Sequence, residues 1–256
     1  MKQNFFDNID TDWGDLISDI YNKNSLTIEP EVVDGIKIIS KSIVDKYDLK
    51  NVNYLTFAEG TEVIKWNSFR EIEFSINKPN VNIKNIKTVN FPSSLRIIEN
   101  FAFSNSSIET IVINSDIEYI YLDIFYNVFS GCKNLTKIIF NGIVKNIFKG
   151  AFKNCNITGE LNFPIGLEYI GDLAFLNNKN ITNVVFPEGL KTIGNNAFKN
   201  CTNITGDIII PKSVNYISYT ALTNCNNIKR IFISKEKYYG WHNEFNMYCN
   251  AEVVYY

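Results

Sequence analysis

The chain of 256 residues has a single histidine, His242, so no histidine cluster can ligate a metal and little scope remains for Ser/His or Cys/His catalysis. The 5 cysteines, Cys132, Cys155, Cys201, Cys225 and Cys249, form an odd set with no Cys-x-x-Cys pair, which suits neither a zinc ribbon nor a disulfide framework. Carboxylates are what is left for chemistry. Glu160 and Asp207 each follow a Thr-Gly pair ahead of an apolar run. They stand two repeat units apart, roughly 10 Å at the spacing of paired strands. An inverting glycosidase holds its two carboxyl groups about 6.5–9.5 Å apart, so the pair falls just outside that range and a glycan hydrolase is the weakest reading. No phosphate-binding loop, dinucleotide fingerprint or His-Glu-x-x-His motif is present. The expectation is a protein that is not an enzyme, with no catalytic, cofactor-binding or metal-ligating residue and no cofactor.

Composition narrows the class further. The chain is 45% hydrophobic and 20% charged with a formal net charge of −2. It can bury a sizeable core, and it has no excess of basic residues to suggest a nucleic-acid partner. No apolar stretch approaches the ~18 residues of a membrane span, and none of signal-peptide length follows Lys2. The expectation is a soluble chain with no membrane insertion and no visible signal peptide. Export by another route, or origin as a fragment, stays open. Less ordinary is the residue usage: 37 Asn and 38 Ile against 7 Ala. Asn fits poorly inside regular helices and strands, so its abundance asks for a structural cause.

An internal repeat supplies it. One copy reads Val184-Val185-Phe186-Pro187-Glu188-Gly189-Leu190-Lys191-Thr192-Ile193-Gly194, then Ala197-Phe198 and Asn200-Cys201. A small residue followed by a large one recurs at Ala102-Phe103, Val128-Phe129, Ala151-Phe152, Ala174-Phe175, Ala197-Phe198 and Ala221-Leu222. Most alanines of the chain sit at this one site, which implies a steric demand where backbone turns pack closely. Weaker copies run through Leu26-Thr27-Ile28 and Leu55-Thr56-Phe57 to Ser68-Phe69. A period of about 20–29 residues is that of leucine-rich repeats.

The proline after an apolar strand and the Ile-Gly-x-x-Ala-Phe-x-x-Cys core resemble the BspA-type leucine-rich repeat family, well over 89–233 and more weakly over 26–88. Departures are Asn141-Gly142 in place of the proline, Phe148 in place of the glycine and an insertion around Tyr121–Ile124. The implied fold is a mostly β, α/β repeat solenoid: a right-handed superhelix with a parallel sheet on its concave face and short turns or helical turns on its convex face. The expected organisation is an N-terminal capping helix over 1–25, degenerate repeats over 26–88 with an insertion at about 70–88, regular repeats over 89–234 and a C-terminal cap over 235–256. Ile9, Trp13, Leu16, Ile17, Ile20 and Tyr21 share one face of the capping helix. Ala251–Tyr256 reads as a closing strand, and Cys249 falls outside the cysteine column.

Within each coil, Ile181, Val184 and Phe186 should point inward and Asn183 and Val185 outward. Asn105, Asn154, Asn177, Asn200 and Asn224 form one turn column; Asn134, Asn156, Asn180, Asn203 and Asn227 form another. Both are expected to be structural ladders, which also explains the Asn-x-Thr sequons of the second without glycans. The outward sheet column holds Thr56, Asn90, Val112, Ile139, Asn162, Val185, Ile209 and Phe232. The column at the strand entrances holds Thr88, Thr110, Lys137, Glu160, Asn183, Asp207 and Arg230. An apolar stripe that the core does not require marks a candidate partner-binding face, and Tyr119, Tyr169 and Tyr216 add an aromatic strip. The family resemblance implies an adhesion or protein-binding role at a cell surface, toward a protein or a surface glycan. The alternative is an assembly component, such as a virion surface part or an oligomeric scaffold.

Overall fold

The computed structural model describes residues 24–69, 83–114, 127–238 and 248–256. The expected capping helix, most of the insertion after Phe69, Tyr119, the insertion at Tyr121–Ile124 and His242 lie outside them. Described residues form a mostly β, parallel solenoid of about 8 turns with few helices.

Each coil has three sides. The first is a strand of a long parallel sheet, built from Ser25–Ile28, Tyr54–Phe57, Thr88–Phe91, Thr110–Ile113 and Lys137–Phe140 in that order. The same side goes on, after breaks in the strand pairing, as a two-stranded sheet of Gly159–Asn162 and Ile181–Val185 and a three-stranded one of Gly206–Ile209, Ile228–Ile233 and the closing strand Glu252–Tyr255; the three segments together are called the long sheet. Alternation in the sequence dictates the faces: Ile111 and Ile113 are buried while Thr110 and Val112 are half-exposed. Ile181, Val184 and Phe186 point into the core and Val185 points out, as the repeat predicts.

The second side is a narrower parallel sheet where the sequence suggested only turns. Asn146–Ile147, Tyr169–Ile170, Thr192–Ile193 and Tyr216–Ile217 pair coil to coil. Near the N-terminus the same side holds Ile36–Ile39, Val63–Ile64 and Ile97–Ile98, with Glu31–Val33 folded back as an antiparallel hairpin. The hairpin turn is Asp34-Gly35, both with positive φ (52° and 80°), a turn that suits the strand twist. In the four later strands one isoleucine each faces the core: Ile147, Ile170, Ile193 and Ile217 are fully buried.

The third side is turns, and it carries the phenylalanine column. Phe69, Phe103, Phe129, Phe152, Phe175 and Phe198 stack ring on ring, with centroids 4.8, 5.4, 5.4, 5.3 and 5.2 Å apart. The residue ahead of each is shut off from solvent: Ala102, Val128, Ala151, Ala174 and Ala197 are fully buried. Backbone bonds tie this side together too, since Phe152, Phe175 and Phe198 each donate N–H to the alanine carbonyl of the next coil at 2.7–2.8 Å. The Ile-Gly glycines serve close approach rather than unusual torsion. A Cβ on Gly194 would lie 2.6 Å from the Asp172 nitrogen and 2.7 Å from the Gly171 carbonyl carbon.

The asparagines take the place foreseen for the first column. Asn105, Asn154, Asn177, Asn200 and Asn224 all have positive φ, between 58° and 65°, which Asn tolerates better than other side chains. Their amides form a directional ladder: Asn224 donates to Asn200, Asn200 to Asn177 and Asn177 to Asn154, at 2.6–2.7 Å. Gly131 fills the one described gap in the column, also at positive φ. The second column is a ladder only in part. Asn180 donates to Asn156 at 2.7 Å, Asn227 donates to the Thr202 carbonyl, and Asn134 and Asn203 are exposed.

All the cysteines are free and buried. The thiols of Cys132, Cys155, Cys201 and Cys225 donate to the carbonyls of Phe103, Phe129, Phe175 and Phe198 in the preceding coil, at 3.1–3.3 Å. Asn178 replaces cysteine in this column and does the same work, donating to the Phe152 carbonyl at 2.7 Å while accepting from the Ile157 N–H. Cys249 lies outside this column and is buried as well. Burial raises its pKa as it does those of the column thiols.

Candidate functional site

Strand register decides which of the predicted surface residues meet. Thr56, Asn90, Val112 and Ile139 are direct neighbours on the long sheet. Asn162 lies beside Val185, and Ile209 beside Phe232. Phe232 in turn abuts Val254 of the closing strand, which extends the column by one coil. Exposure is uneven along it. Val112, Ile139 and Phe232 are half-buried, whereas Val185 is 45% and Ile209 61% exposed. Asn162, between Ile139 and Val185 in the column, is exposed too.

The entrance column forms two polar groups. Gly159 and Gly206 sit at positive φ and each marks a register irregularity, which sets the following carboxylate onto the outward face. Glu160 accepts from the amides of Asn162 and Asn183 at 2.9 and 2.8 Å. Asp207 accepts a two-pronged bond from Arg230, through Nε at 3.0 Å and through Nη2. The Arg230 guanidinium also lies over the Phe232 ring at 5.3 Å. Glu252 extends this column beside Arg230.

These bonds bear on the hydrolase reading. The Asn183 and Asn162 amides hold the Glu160 carboxyl below its ordinary range, and Arg230 does so for Asp207. A glycosidase acid needs the opposite, a carboxyl kept protonated near neutral pH. Each carboxylate is engaged by its strand neighbour rather than facing the other across a cleft. Among the described residues no group of three or more His, Cys, Asp or Glu is placed to hold a metal, and no helix is long and apolar enough to cross a membrane. Tyr169 and Tyr216 belong to the narrow sheet, so the structure separates the aromatic strip from the apolar column.

Comparison with known proteins agrees with this architecture. The family model of the BspA type leucine-rich repeat region matches in 6 copies, over residues 44–158 and 123–252. No curated protein is significantly similar in sequence. A leucine-rich repeat protein from Bacteroides ovatus ATCC 8483 superposes with a TM-score of 0.51 at 20% identity, over 92% of this chain. The chain spans 61% of that protein's length. A leucine rich cell surface protein from Faecalibacterium prausnitzii A2-165 gives a TM-score of 0.43 at 15% identity, over 91% of this chain and 88% of its own.

Proposed function

Because the chain belongs to the BspA-type leucine-rich repeat family, we propose that it is a non-catalytic binding module whose long parallel sheet docks a protein partner, at a cell surface as the family suggests. Ile209 carries the reading. It is 61% exposed at the end of the strand Gly206–Ile209, between Ile208 and Ile210, which are both fully buried. Val185, Phe232 and Val254 extend the apolar strip to either side, and a strip of this kind is the core of an ordinary protein interface with a polar rim. The rim is Glu160, Asn183, Asp207 and Arg230. A protein fits this face better than a sugar does, because its exposed apolar groups are aliphatic and the Phe232 ring is already covered by Arg230.

Ile209→Asp and Phe232→Asp should keep the fold and remove at least tenfold of the affinity for a partner captured by the wild-type chain. Unchanged affinity in both would place the interface elsewhere. Light scattering on the purified chain addresses the rival assembly reading, which a stable monomer would contradict.

A further inference from the structure

The narrow sheet has a surface chemistry of its own. Its outward column runs Asn146, Tyr169, Thr192, Tyr216, one residue per coil in unbroken register. Tyr216 is 46% exposed and Tyr169 half-buried. The Tyr169 ring lies 5.6 Å from that of Phe148, which stands where the next coils have Gly171 and Gly194. Tyr219 is 45% exposed on the adjoining turn, and its ring lies 5.4 Å from Tyr248 of the closing coil. Beside the column, Lys191 pairs with Glu168 and Asn195 with Asp172, a polar border on both flanks.

We propose that this face binds an extended β-1,4-linked polysaccharide, with alternate sugars stacked on Tyr169 and Tyr216. A pyranose has apolar C–H faces that pack on aromatic rings, and equatorial hydroxyls that reach polar neighbours. Tyr ends serve both needs, being an apolar ring with a polar tip. The two tyrosines are two coils apart, about 10 Å at the spacing of paired strands. That is the length of two units in an extended β-1,4-linked chain, where each sugar is flipped relative to the last. One ring face therefore returns every second unit, so a glycan laid along the column places one sugar per coil and the same face over each tyrosine. The sugar between them meets the Thr192 hydroxyl. The long sheet has no such pattern, since its exposed apolar side chains, Val185 and Ile209, are aliphatic.

The test uses the full chain on chitin beads and on microcrystalline cellulose, with calorimetric titration of chitohexaose and cellohexaose. The wild type should be retained on at least one polymer and bind its hexasaccharide. Tyr216→Ala should weaken that binding at least tenfold, as should Tyr169→Ala, while Tyr216→Phe and Ile209→Asp stay within about twofold. Unfolding midpoints guard against a folding defect, and Tyr216, the more exposed of the two tyrosines, is the decisive position. A wild type that washes through both polymers would overturn the proposal. So would a folded Tyr216→Ala variant that binds like the wild type, or an Ile209→Asp variant that loses binding equally.

Discussion

At the scale of single residues, the repeat is held in step by side chains that finish backbone hydrogen bonds. Asn200 combines a φ of 63° with two ladder bonds of 2.7 Å. Asn200→Ala should cost about 1–3 kcal/mol, from lost hydrogen bonds and the left-handed torsion. Asn200→Gly should cost less, since only the bonds are lost, as Gly131 already demonstrates in its own coil. Urea unfolding of the two variants checks the order. The thiols make a second case. Burial pushes Cys132 up to about 11 and Cys225 up to about 12 from the ordinary 9.0. A thiol raised in the folded state contributes stability that is present below its unfolded pKa and is lost as pH rises through the folded value. Stability should therefore fall above about pH 9, and less steeply in a Cys132→Ser, Cys225→Ser double variant, read from denaturation midpoints between pH 8 and 11. In the native protein the thiols should resist a thiol reagent that titrates all five under denaturing conditions.

At the scale of elements, the coils are set by what fits between them. Gly194→Ala would drive a Cβ to within 2.6 Å of the Asp172 backbone. It should destabilise by about 1–3 kcal/mol, the usual cost of overpacking. Phe175→Ala would leave a gap between the rings of Phe152 and Phe198 and should cost about 3–5 kcal/mol. Both are checked by equilibrium unfolding against a surface control such as Lys179→Ala. The sequence is legible here because the small-large pair and the inward triplet repeat together. It is less legible on the second side, where a single isoleucine per coil gives no alternation to read and the narrow sheet looks like a turn. The hairpin at Asp34-Gly35 was similarly hidden, although its turn pair is the signal that finds it. Asn178 shows the same limit for a single position: only the geometry reveals that its amide stands in for a thiol.

At the scale of the whole molecule, the solenoid separates what the linear sequence runs together. The outward column of the long sheet could be listed from the repeat alone, since strand alternation fixes which side chains face out. Which of them are free could not, because neighbouring side chains and coil curvature half-cover Val112, Ile139 and Phe232 but leave Ile209 open. The entrance carboxylates changed meaning in the same way. Two acids near a catalytic spacing became two strand-neighbour pairs, Glu160 with its amides and Asp207 with Arg230. The partner's identity has no counterpart in any residue pattern of the chain, because a fold offers a surface without naming what it meets.

The most direct measurement places a photo-crosslinking amino acid at Ile209 and, in a second protein, at the exposed turn position Asn203. Each is irradiated with extract of the source cells. A protein docked on the long sheet predicts one specific adduct from position 209, suppressed by excess unlabelled wild type, and none from position 203. An adduct of that partner from position 203 with none from position 209 would contradict the account.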